Sequence, residues 1–217
     1  MRFRLSYADV SEWLAERGIT VDPSTVYDWV RTLALRAPPR FIDAARAQRS
    51  TVGRRWRLDE TYIKGAKHWH YLYRATDEHG QIVEVYLSDR RNAIAAQAFF
   101  EAAIETSSTT PTQVTTGCPL GEATCYPPAL RTLLPNVEQN TSKYLNNRLE
   151  RDHQQGCPLG QGRIRPMRWF KTVGGASNFC HGHTLIRNLR QGFSSLTSQV
   201  SARLRLATAW SALAAQL

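Results

Sequence analysis

No apolar run in the 217-residue chain approaches the ~18 residues of a membrane span. Met1-Arg2-Phe3-Arg4 leads into an amphipathic stretch instead of the uninterrupted apolar core of a secretion signal. A membrane or exported protein is therefore disfavoured, and the expected location is cytoplasmic, nucleoid-associated if DNA is the partner. Cysteine is sparse: four residues at irregular spacing, with no CxxC pair. That excludes a disulfide framework and the usual zinc-finger spacing. Cys118, Cys125, Cys157 and Cys180 with His181 and His183 could still be gathered by a fold, but incidental thiols are the simpler reading. Acid is missing from the last third. Beyond Asp152 there is no Asp or Glu, while Arg163, Arg165, Arg168, Lys171, Arg187, Arg190, Arg203 and Arg205 follow. These eight leave 20 of the 28 Lys+Arg to face all 18 acids in the first 152 residues. The net charge of +10 is thus concentrated at one end, which suits a polyanion such as nucleic acid or, more blandly, a basic surface.

An apolar fraction of 42% supports a real core. Residues 6–17 read as a short helix capped by Ser6, with Val10, Trp13 and Leu14 on one face. Gly18 ends it, and Asp22-Pro23-Ser24 opens a second helix with Val26, Val30 and Leu33 inward. The pair is a helix-turn-helix candidate in which Ser24, Tyr27 and Arg31 would read DNA, or else an ordinary helical hairpin. A basic, Pro-containing linker follows over 37–54. Three strand-like runs at 56–64, 68–76 and 82–88 then form a meander, with turns at Gly65 and at 77–80. A helix is expected from Ala93 with Ile94, Ala98 and Phe99 inward. Further expectations are a strand at 112–116, a helix at 128–134, a short strand at 137–139, and helices at 145–154, 176–190 and 200–217. This order makes a mixed α/β sheet.

Asp59 falls mid-strand, and alternation puts Glu60 on the other face. A mid-strand carboxylate needs either a catalytic use or a cation, and Arg57 and Arg74 are available. Glu150 lies on the polar stripe Asn146, Glu150, His153 of its helix. Strand and helix carboxylates that converge are what two-metal phosphoryl transfer requires.

The blocks Leu5-Ser6-Tyr7-Ala8-Asp9-Val10, Trp56-Arg57-Leu58-Asp59-Glu60-Thr61-Tyr62-Ile63-Lys64 and Tyr71-Leu72-Tyr73-Arg74-Ala75 carry a resemblance. So do Lys143-Tyr144-Leu145-Asn146-Asn147-Arg148-Leu149-Glu150-Arg151-Asp152-His153, Met167-Arg168-Trp169-Phe170-Lys171 and Arg187-Asn188-Leu189-Arg190. Together they resemble bacterial DDE-type transposases of the insertion-sequence-six family, from about Leu5 to Phe193. The resemblance implies a helix-turn-helix segment at 1–36, an RNase H-like α/β catalytic domain at 55–195 and a C-terminal helix at 196–217. It implies Mg²⁺, with Mn²⁺ as substitute, held by Asp59 and Glu150. The implied partner is double-stranded DNA, as element terminal repeats and target, handled by a homodimer with no membrane role. Arg163, Arg165, Arg168 and Lys171 would bind phosphates. Trp169 and Phe170 would stack on DNA ends or pack in the core.

The pattern breaks where the family has an Asp after Val-Thr-Thr. Here Val114-Thr115-Thr116 is followed by Gly117-Cys118-Pro119-Leu120-Gly121, and the same pentapeptide recurs at residues 156–160. This reads as a short repeat inserted twice in the gene. Gly117 offers no carboxylate. Glu122 is the nearest substitute for the second catalytic acid, and reaching a cation ~2.1 Å away would require the pentapeptide to fold back on itself. The expected product is an impaired transposase, with a non-catalytic DNA-binding protein at element ends as the alternative. The helix that the family usually carries before Leu5 is absent, which predicts a poorly supported DNA-reading head.

Overall fold

The computed structural model describes residues 6–28, 44–116, 125–140 and 170–215. Helix α1 (Tyr7–Ala15) begins at Ser6, whose hydroxyl accepts from the Asp9 amide at 3.1 Å while the Asp9 carboxylate accepts from the Ser6 amide at 2.6 Å. Gly18, at φ +77°, turns the chain, and Asp22 caps α2 (residues 23–28) by accepting from the Ser24 amide at 2.7 Å. Tyr7 and Tyr27 meet edge to face at 5.5 Å, which joins the two helices.

Residues 44–50 fall in the expected linker, yet they are packed onto the core. Ala45, in the short helix α3 (residues 44–47), is buried with Leu213. The Arg49 guanidinium donates to the Ile82 and Val83 carbonyls, so it caps backbone acceptors of an edge strand. Burial lowers its pKa from the usual arginine value, against the opposing field of Glu84 and Asp77.

The sheet contains β1 (Arg55–Gly65), β2 (His68–Asp77), β3 (Ile82–Ser88), β4 (Gln113–Thr116) and β5 (Glu138–Asn140). Its order is β3-β2-β1-β4-β5. The first three strands are antiparallel, and β4 and β5 add parallel to β1. That is the expected RNase H-like sheet. Helices α4 (Ala93–Ser107) and α5 (Tyr126–Leu133) bury Phe99, Phe100, Tyr126 and Leu130 against Trp56, Leu58, Tyr73 and Val114 on one face. Helix α6 (Val173–Gln191) covers the other face, where Ala176 and Cys180 meet Ile63, Leu72, Ile82 and Val85. Helix α7 (Arg205–Ala214) packs against α6. Asn188 of α6 pairs through both side-chain atoms with the Ile82 backbone, accepting at 3.0 Å and donating at 2.9 Å.

Three local expectations change. Ile94 points to solvent at 77% exposure, because the inner face of α4 is set by Ala95, Ala96, Phe99, Phe100 and Ala103. The last helix starts at Arg205, not residue 200. The first hairpin turns at Ala66-Lys67, not at Gly65, which is the last residue of β1. Ala66 (φ +50°) and Lys67 (φ +70°) both sit in the left-handed region, where a two-residue turn favours Asn-Gly. Lys67→Gly is expected to stabilise the fold by about 0.5–1 kcal/mol, since relieved strain exceeds the added chain entropy. A higher urea midpoint at unchanged slope would show it. The second turn follows the sequence: buried Asp77 accepts from the His79, Gln81 and Gly53 amides, each at 2.9 Å.

Candidate active site

Alternation along β1 separates its two central acids. Glu60 faces α4 and α5, where its carboxylate accepts from Arg91 Nε at 2.7 Å and lies beside Cys125. The Tyr126 hydroxyl is held well above its usual pKa, first by burial and then by the Glu60 charge. Tyr73 is raised as well, first by burial, then by Cys125 and by the Glu60 charge. Glu60 is therefore part of a buried polar cluster on the α4 side.

Asp59 faces the α6 side of the sheet. Its register partner on β2 is Arg74, so the two side chains stand on one face of adjacent strands. Arg74 Nε donates to Oδ1 at 2.9 Å and Nη2 to Oδ2 at 2.7 Å. The side chains are 10% and 2% exposed, so this is a largely desolvated two-point ion pair. Of the two arginines the sequence offered, Arg74 makes the fork.

The parallel β1–β4 ladder brings the second expected position close. Thr116, the last residue of β4, pairs with Leu58, one residue before Asp59. Gly117 and Glu122 lie outside the described residues, as do Glu150, Arg31, Arg163, Arg165 and Arg168. Ser24 and Tyr27 are exposed on α2, and Lys171 is exposed just before α6. Phe170 is half-buried against the core near Phe179, with ring centroids 5.2 Å apart.

Of the residues expected to hold a divalent cation, Asp59 alone is among the described ones. No group of three or more His, Cys, Asp or Glu side chains able to hold a metal occurs among the described residues. At the expected centre the one described carboxylate has both oxygens in a guanidinium fork. Nor are the described zinc candidates gathered: Cys125 is buried in the cluster on the α4 side of the sheet and Cys180 in the one on the α6 side. His181 Nδ1 lies 3.4 Å from Glu84. Burial would raise the Glu84 carboxyl, yet the hydrogen bonds from His181 and the Val85 amide hold its pKa below the usual value.

Two features went unread in the sequence. One is the edge protection by Arg49 and Asn188, which needs the tertiary placement of segments 33 and 106 residues from β3. The other is a row of exposed aromatics on the first hairpin, which the absence of any acid between Glu60 and Asp77 could have flagged.

A family model described as a DDE domain matches residues 53–193. The transposase for insertion sequence-like element IS431mec of Staphylococcus aureus is 36% identical over 154 residues, covering 71% of this chain and 67% of the relative. The transposase for insertion sequence element IS257 in transposon Tn4003, from the same organism, is 35% identical over the same shares. An uncharacterized Yersinia pseudotuberculosis protein, pYV0051, is 42% identical over 53 residues, covering 24% of this chain and 50% of the relative. The HTLV-2 integrase catalytic core domain, solved in complex with magnesium in a dimeric form, is 16% identical with a TM-score of 0.39, covering 65% of this chain and 88% of that one.

Proposed function

The chain belongs to the DDE-type transposases of the insertion-sequence-six family, and from that membership we propose a DNA transposase that holds DNA but is impaired in the phosphoryl-transfer step. Double-stranded DNA at element ends and at the target is its partner. Ser24, Tyr27 and Arg31 read bases, while Arg163, Arg165, Arg168 and Lys171 hold phosphates and fix the strand's register. The protein acts as a homodimer, one protomer for each element end.

Asp59 is the first acid of the site and Glu150 the last. Divalent Mg²⁺ or Mn²⁺, when bound between them, supplies charge stabilisation at the scissile phosphate and activation of the attacking oxygen. The single observation that carries the impaired reading is the Asp59–Arg74 fork, set against a β4 that ends level with Leu58. A guanidinium already compensates the one described carboxylate, and the residue after Thr116 is Gly117, which adds none. The same fork favours the second reading, a non-catalytic protein that occupies element ends.

Strand transfer from labelled element ends into supercoiled DNA, run with Mg²⁺ and then Mn²⁺, separates the readings. The expected result is weak product that disappears in Asp59→Asn and in Glu150→Gln and persists in Glu122→Ala. Product lost in Glu122→Ala would make Glu122 the replacement acid. DNA binding with no product under either metal would leave the non-catalytic reading. Product unchanged by Asp59→Asn would sink both assignments to this site.

A further inference from the structure

The β1–β2 hairpin outruns the sheet. Strand β4 pairs with β1 only as far as Leu58, and β3 pairs with β2 only from Tyr71 onward toward Asp77. Among the described residues the rest of the hairpin pairs with itself as a two-stranded ribbon, apart from a parallel bridge of Gly65 to Phe170. On one of its faces Tyr62 stands opposite Tyr71, and Lys64 stands opposite Trp69 on the next rung. The Tyr62 and Tyr71 rings are 5.2 Å apart, and Lys64 Nζ sits 5.9 Å from the Trp69 ring. Tyr62 is 49% and Trp69 51% exposed. Scattered exposed aromatics are ordinary, whereas a row of them on one face is a recognition surface.

Within the ribbon's own sequence the charge on this face has one sign, and the nearby Asp89 carboxylate is held on the other face, 2.6 Å from His70 Nδ1. Between Glu60 and Asp77 there is no acid, while Lys64, Lys67 and His68 lie at the ribbon's end. The ribbon is also continuous with the basic segment. The Ala66 amide donates to the Phe170 carbonyl at 3.0 Å, and the Phe170 amide donates to the Lys64 carbonyl at 3.2 Å. Arg168 precedes Phe170 by two residues, and exposed Lys171 follows it. Cations alone would suit duplex phosphates. Half-exposed aromatic side chains add something a duplex cannot use, because its base faces are already stacked.

We propose that the face carrying Tyr62, Tyr71, Lys64 and Trp69 is a stacking platform for unpaired DNA bases, holding the strand end freed when an element terminus opens. This rests on the DNA-acting reading above and adds the place where the unpaired strand lies. Trp69 and Tyr62 stack on bases, and Lys64 and Lys67 hold the adjoining phosphates.

Fluorescence anisotropy on the full chain tests it, with a short labelled single strand and a blunt duplex of the same sequence. Trp69→Ala is expected to weaken single-strand binding about tenfold, the scale of one base–aromatic stack, and duplex binding less than about twofold. Trp69→Phe restores most of the loss. Lys64→Ala lowers affinity for both probes and flattens the salt slope by about one. Circular dichroism and gel filtration check fold and oligomeric size. Unaltered single-strand binding by Trp69→Ala and Tyr62→Ala overturns the platform, as does an equal loss on both probes. A change in oligomeric size without a change in binding makes a second copy of the chain the occupant, which also overturns it. A wild-type chain that binds neither probe sinks the DNA-acting reading itself. Wild-type binding indifferent to Trp69 sinks the platform alone.

Discussion

Replacing Gly117–Gly121 by a single aspartate is expected to raise strand-transfer product roughly 10²- to 10⁴-fold, the span of the several kcal/mol that metal-ion catalysis supplies at tenfold per 1.36 kcal/mol. Thr116 ends β4 paired with Leu58 in a parallel ladder, so one further rung in the variant would set the new aspartate level with Asp59. Neighbouring strands stand about 4.8 Å apart, and paired residues share a face. An acid there adds a second carboxylate beside Asp59, whose oxygens Arg74 holds in its fork. Manganese titration by calorimetry should show tighter binding in the aspartate variant, alongside the gain in product. A folded variant that binds DNA as well as the parent and gains neither metal affinity nor product would refute the assignment of the defect to this position. The second pentapeptide lies six residues after Glu150. Deleting residues 156–160 in the same background therefore shows whether it also weakens the site.

Arg74→Met is expected to destabilise the protein by about 3–5 kcal/mol, because it leaves a largely desolvated carboxylate without the guanidinium fork. The two side chains are 10% and 2% exposed, so solvent cannot replace the lost partner fully. Asp59→Asn combined with Arg74→Met should recover much of the loss, since the charge that the Arg74 fork neutralises is gone. Urea unfolding of the two single variants and the double variant gives the coupling directly. A single-variant cost below about 1 kcal/mol would mean the pair behaves as a surface salt bridge and not as the centre of the sheet's α6 face.

The local structure was legible because it follows short-range rules. The Ser6 cap, the meander and the alternation that parts Asp59 from Glu60 depend on neighbours a few residues away. The resemblance blocks named the family correctly, since they lie in order along most of the chain. On α4, Phe99 faces inward as expected while Ile94 does not, because packing against the sheet favours the Ala95-Ala96 and Phe99-Phe100 side. The first turn was misread because Gly65 is the conventional turn residue, while the strands' register puts the strain on Ala66 and Lys67.

By itself, then, the chain of residues determined the family, the order of elements, the one-signed charge of the last third and that a glycine, not an acid, follows Thr116. The family rests on the resemblance of those blocks, and the rest on composition and local pattern, which hold whatever the tertiary packing. Tertiary structure decided which arginine meets Asp59 and that Arg49 and Asn188 cover an edge strand. It also decided that the first hairpin extends beyond the sheet with its aromatics half in water. Each of these depends on which strands pair and in what register. The free energy that selects a register comes from burying two whole faces of a sheet at once, a sum no local stretch of sequence contains.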